Sequence, residues 1–118
     1  MQYKPDGFVI LKIQTKSNDS FYKIFASWAG GYTTGDSWKM SSGFTLDDLS
    51  NITKDSDGCF SIPQYSGSEY IVSCANENNL TSYNQSKIDF MIERANESDE
   101  VIEFKIVPLS TILTNELN

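Results

Sequence analysis

Between Trp28 and Gly43 the chain reads WAGGYTTGDSWKMSSG, which puts two tryptophans, a tyrosine and four glycines within sixteen residues. These are the side chains of a surface that holds something flat and polar. Aromatic rings offer faces to planar groups, and glycines let backbone amides approach them closely. The hydroxyls of Thr33, Thr34, Ser37, Ser41 and Ser42 can donate to phosphate or ribose oxygens. Asp36 can accept from a ribose hydroxyl or an exocyclic amine, and Lys39 is the nearest cation. Gly30-Gly31 is not a phosphate-loop fingerprint, because no Lys-Ser/Thr pair follows to open a helix. A second stretch of similar kind, YSGSEY from Tyr65 to Tyr70, carries a Ser-Gly-Ser turn. That turn either exposes several amides as an anion-binding nest or simply closes a hairpin. The candidate ligand-binding residues are therefore Tyr32, Asp36, Ser37, Trp38, Lys39 and Ser42, with Tyr65, Ser66, Ser68 and Tyr70. A planar ligand would lie between Trp38, Tyr32 and Tyr65. The competing use of these residues is structural, with Trp28 and Trp38 in the core and the glycines shaping turns.

Catalysis has little to work with. The chain has no histidine, so Ser–His–Asp and Cys–His nucleophiles are excluded, along with the commonest metal ligand. Asp55-Ser56-Asp57-Gly58 begins like a calcium loop, but the third acid and the distal glutamate are missing, and it reads as a solvated turn. Cys59 and Cys74 fall on neighbouring predicted strands without a CxxC spacing, and read as buried free thiols, not zinc ligands. The expectation is a protein that is not an enzyme, with no metal site and no cofactor. Glu97, Asp99, Glu100 and Glu103 cluster around one connection. Such a patch is either a solvated face or a contact for a basic partner protein.

Charge narrows the partners further. The formal net charge is −7 and Arg94 is the single arginine. Phosphate neutralisation needs clustered Lys and Arg, so direct nucleic-acid binding and attachment to anionic membranes are disfavoured. A basic protein surface complements this balance; a homo-oligomer also stays open, because a charged phosphate near so few cations would rely on neutral donors or on a second subunit. The N-terminus MQYKPDGF lacks a basic region followed by an apolar run, and no apolar stretch reaches the length of a membrane span. The expected compartment is the cytoplasm.

The elements that must carry these residues follow from periodicity. At 118 residues there is room for one domain over 1–118. Phe8 to Gln14 and Phe21 to Trp28 are β-rich runs joined by the turn cluster Ser17 to Ser20, which predicts a hairpin. Ser37 to Met40 is a third short strand, and 44–53 is ambiguous between strand and helical turn. Cys59 to Ile62 and Tyr70 to Ala75 form a strand pair around the YSGS loop, followed by a polar loop to Asn84. Ser86 is placed to cap a helix over Lys87 to Asn96, with Ile88, Met91, Ile92 and Ala95 on its inner face. Val101 to Val107 alternates as a strand that Pro108 stops, and 109–118 is a short helix or a frayed tail. The sum is an α+β fold, mostly antiparallel sheet with one main helix packed on it.

Three segments together resemble a group of small proteins encoded by large tailed bacteriophages. They are YKIFASWAGGY, GDSWKMSSGFT and QYSGSEYIVSC, and they span roughly residues 8–95 with the helix that follows. The matching positions are Gly30, Gly31, Tyr32, Asp36, Ser37, Trp38, Lys39, Ser42, Gly43, Tyr65, Ser66, Gly67, Ser68, Tyr70 and Cys74. Phe44 stands where an aliphatic is usual, Glu69 where an apolar residue is usual, and Cys74 is offset by a few residues. The resemblance implies a phage origin and a host-takeover or counter-defence setting in the host cytoplasm. The expected function is then a binding protein that sequesters a small polar planar ligand, such as a nucleotide immune signal. The alternative is an acidic inhibitor that blocks a host defence or nucleic-acid-processing enzyme through its carboxylate patch.

Overall fold

Two antiparallel runs with apolar residues on both faces organise the molecule. The structure is a computed structural model that describes residues 1–17, 19–30, 35–45, 47 and 51–116, the last three by backbone alone. β1 is Gln2–Tyr3. β2, Gly7–Thr15, and β3, Ser20–Trp28, form the predicted hairpin, in register from Gly7 opposite Ser27 to Gln14 opposite Ser20. β2 is central in a four-stranded sheet, and this explains why FVIL does not alternate: both its faces are covered. β4, Ser37–Met40, lies on the far side of β3, and β8, Val101–Val107, lies on the far side of β2, giving the order β4-β3-β2-β8.

The second sheet has the order β1-β7-β6-β5, from β5 (Thr53–Lys54), β6 (Phe60–Pro63) and β7 (Glu69–Val72). β6 and β7 are the predicted hairpin around YSGS, although β7 is shorter than expected and a 3-10 turn follows at Cys74–Asn76. β1 joins it in parallel, with Gln2 opposite Glu69 and Tyr3 opposite Tyr70. Strand alternation then divides the core in two. Phe8, Ile10, Tyr22, Ile24 and Ala26 face the second sheet, meeting Ile62, Tyr70 and Val72. Val9, Leu11 and Phe25 face the opposite way and meet Ile88 of the main helix.

That helix, α1, runs Ser82–Asn96 and corrects the expected start at Lys87. Its N-cap is Thr81, whose Oγ1 accepts from the Asn84 amide at 3.1 Å. Ser86 is inside the helix and donates to the Tyr83 carbonyl at 2.6 Å. The polar stretch before it is helical from Ser82 because Asn84 is an anchor and not a loop residue. Asn84 is fully buried, and its Nδ2 donates to Ser27 Oγ and to the Ser37 carbonyl, both at 2.8 Å. The chain end is helical too: α2, Leu109–Glu116, inserts Leu109 and Ile112 into the core between the sheets. The Glu77 carboxylate accepts from the Leu109 amide at 2.7 Å and so caps α2. Gly7 lets the segment at Asn79 pass close against β2, since a Cβ there would sit 1.7 Å from the Asn79 carbonyl oxygen.

The Asp55 turn is as predicted, its Oδ1 accepting from the Asp57 and Cys59 amides at 2.9 Å. In the ambiguous 44–53 stretch, Phe44 bridges to Tyr22 in antiparallel fashion and Thr53 begins β5. The cysteine expectation is half corrected. Both are free thiols, but Cys74 is exposed at the 3-10 turn and Cys59 is half-buried at the end of the Asp55 turn. Among the described residues, no helix is long and apolar enough to cross a membrane.

Candidate functional site

The two polar-aromatic stretches meet through a bulge at the end of β4. Ser41 remains in register, its amide donating to the Ile24 carbonyl at 2.9 Å and its Oγ accepting from the Ile24 amide at 2.8 Å. Pairing resumes at Phe44, which exchanges backbone bonds with Tyr22 at 2.7 and 2.8 Å, so Ser42 and Gly43 hold one extra residue. Gly43 has φ +116°, and a Cβ on it would come within 3.1 Å of Tyr65 Cε2 and 3.2 Å of the Tyr22 carbonyl oxygen. The bulge is then stitched to the β6–β7 turn. The Tyr65 amide donates to the Gly43 carbonyl (2.8 Å), the Gly43 amide to Gln64 Oε1 (3.2 Å) and the Ser66 amide to Ser42 Oγ (2.9 Å). Part of the glycine and serine signal is therefore explained by this joint between the sheets. Neither hydroxyl spends its proton in these bonds, so Ser42 and Ser66 retain a donor for a ligand.

Beside the joint lies an open groove of about 450 Å³. Its lining includes Ser41, Ser42, Ser66 and Ser68, the lysines Lys23 and Lys39, and the rings of Tyr3 and Tyr70. Both charged residues of the lining are lysines, on a chain whose net charge is −7. Lys39 Nζ sits 5.2 Å from the centre of the Tyr3 ring, and the Tyr3 and Tyr70 rings are 5.1 Å apart. Tyr70 is 1% exposed, and its hydroxyl has no hydrogen-bond partner among the described residues. Burial, reinforced by the neighbouring Tyr3 hydroxyl, pushes its pKa above the ordinary value, so it stays an O–H donor at neutral pH. A buried donor with nothing to donate to is costly, and Tyr70 is also part of the groove lining.

Of the ten nominated ligand residues, Lys39, Ser42, Ser66, Ser68 and Tyr70 line this groove. Tyr65, 57% exposed, packs over the bulge and borders an adjoining concavity of about 450 Å³ with Asp19, Phe21 and Lys23. Trp38 does not join them. Neighbours on a strand face opposite ways, and where Lys39 reaches Tyr3, Trp38 stacks on Phe25 at 5.4 Å and 18° on the α1 side. A ligand held against Tyr3 and Tyr70 would not meet the Trp38 indole, unlike one held in the expected clamp between Trp38, Tyr32 and Tyr65. Asp36 is turned inward to the loop, its Oδ1 accepting from the Gly30 amide at 3.3 Å, and the Ser37 carbonyl is held by Asn84. Tyr32 lies outside the described residues. Trp28 is structural, its Nε1 donating to the Lys4 carbonyl at 3.1 Å and its ring against the core.

Tyr3 and Lys23 are the residues that sequence patterns missed. Nothing local marks Tyr3, which reaches the site only through parallel pairing with a strand near residue 70. Lys23 reads as the wet position of an alternating strand, and only the fold brings it beside the serine loops.

The acidic patch divides. Glu97 caps the end of α1, and Asp99 and Glu100 are exposed in the turn that follows. Glu103, on β8, lies 3.3 Å from Lys105 Nζ and 3.5 Å from Lys12 Nζ, distances of ion pairs more than of strong hydrogen bonds. Its carboxyl is held below the ordinary glutamate range, chiefly by Lys105 and then by Lys12, against an opposing desolvation. It is thereby neutralised locally and does not add to a free acidic face. No protein-family model, curated protein or solved structure matches the chain.

Proposed function

We propose that this chain is a non-catalytic binding protein that holds a small planar ligand bearing phosphate, with nucleotides as the ligand class, in the groove between β1 and the two serine loops. The observation that carries the reading is Tyr70, a buried hydroxyl without a partner in a groove whose two charged residues are both lysines. Tyr3 supplies a ring for a base, Lys39 supplies charge for phosphate with Lys23 bordering the groove, and Ser42, Ser66 and Ser68 supply neutral donors. In the phage setting that the motif resemblance implies, holding a nucleotide without turning it over would sequester an immune signal in the host cytoplasm.

The test is native mass spectrometry and calorimetric titration against cyclic and linear nucleotides. Lys39→Ala and Tyr70→Phe are each expected to weaken binding about tenfold or more, the loss of one charge-assisted hydrogen bond. Trp38→Ala is expected to change it little. Absence of binding across the panel, or equal affinity in Lys39→Ala, Tyr70→Phe and the parent, overturns the proposal.

A further inference from the structure

The edge strand β8 reads VIEFKIV, and this sequence is its own antiparallel complement. Laid against a second copy about Phe104, Val101 faces Val107, Ile102 faces Ile106 and Glu103 faces Lys105, on both sides of the two-fold axis. Directly opposed residues in an antiparallel pair share a face, so the apolar residues meet apolar ones and each carboxylate meets an ammonium. The strand is also available. β8 ends the order β4-β3-β2-β8 and pairs with β2 alone among the described strands. α1 covers Phe104, whereas Ile102 and Ile106 on the same face are 58% and 38% exposed. A seven-residue unpaired edge with two exposed isoleucines and no proline within it is the kind of edge that proteins otherwise protect.

We infer that the chain forms a two-fold homodimer through antiparallel β8–β8 pairing, which joins the two sheets into one of eight strands. The occupant is a second copy because the charge pattern selects it: an unrelated strand would have to reproduce the Glu–Phe–Lys order in reverse. The interface is isologous and closes, so it yields dimers and not fibres. The ligand groove lies at the β4 edge, the opposite side of the sheet, and stays open in both subunits.

The experiment is sedimentation velocity across a concentration series on the full chain and on two charge variants, Lys105→Glu and Glu103→Lys. The parent is expected to shift from monomer to dimer as concentration rises. Each variant opposes like charges at two symmetric positions and is expected to dimerise about tenfold more weakly. An equimolar mixture of the two restores opposite charges at both positions and is expected to recover dimer as a heterodimer. Circular dichroism on each variant confirms that the fold persists. A parent that stays monomeric throughout, or a mixture that associates no better than its components, overturns the inference.

Discussion

Single side chains here divide between those that build the joint and those left over for a ligand. Gly43 belongs to the joint: its positive φ and the Tyr65 ring above it exclude any larger residue. Gly43→Ala is expected to cost about 1–2 kcal/mol, read as a lower urea midpoint with an unchanged slope. Tyr70 belongs to the second group. Because its hydroxyl is buried without a partner, Tyr70→Phe is expected to leave the stability of the free protein unchanged or slightly raised while weakening the ligand complex. A residue whose removal harms binding but not folding is difficult to explain as scaffold. Gly7→Ala is the structural control, since the clash with the Asn79 carbonyl is expected to destabilise by about 3 kcal/mol wherever ligand binds.

At the scale of elements, α1 depends on its anchor and its cap. Asn84→Ala is expected to cost about 2 kcal/mol, because it breaks one buried and one part-buried hydrogen bond and empties a fully buried position. Thr81→Ala is expected to cost about 1 kcal/mol and Ser86→Ala less, a ranking that thermal unfolding of the two variants checks. The same residues mark where sequence patterns are informative. Alternation located β3 and β8, whereas β2 was legible as a β-rich apolar run because both its faces are covered. The β6–β7 hairpin was legible from its turn residues. The start of α1 was not, since Thr81 and Ser86 are both good caps and only the burial of Asn84 decides between them. For the site, the serine loops and Lys39 were visible as composition. The aromatic wall was not, because Tyr3 arrives by a long-range parallel pairing and Trp38 is turned away by strand alternation.

For the molecule as a whole, charge links stability to pH in two windows. Glu103 has a lowered folded pKa, so its contribution is present above the ordinary glutamate range and is lost as pH falls through the folded value. Glu103→Gln should flatten that acid limb. Tyr22 and Tyr70 are both raised by burial, so their contribution is whole below the ordinary tyrosine value of 10.0 and lost as pH rises through the higher folded values. Urea midpoints from about pH 8 to about pH 11 should fall for the parent and fall less for Tyr70→Phe. The same charge map gives binding its salt dependence. A phosphate held by Lys39 in an open groove is partly screened, so affinity should decline as salt is added.

The most direct test of the central claim is a chemical-shift titration of the isotopically labelled protein with a nucleotide that binds. The account predicts shifts concentrated at Tyr3, Lys39, Ser66, Ser68 and the Tyr70 hydroxyl, with the Trp38 indole unmoved on the other face of the sheet. Perturbation centred on Trp38 and α1, with Tyr3 and Tyr70 silent, would contradict it.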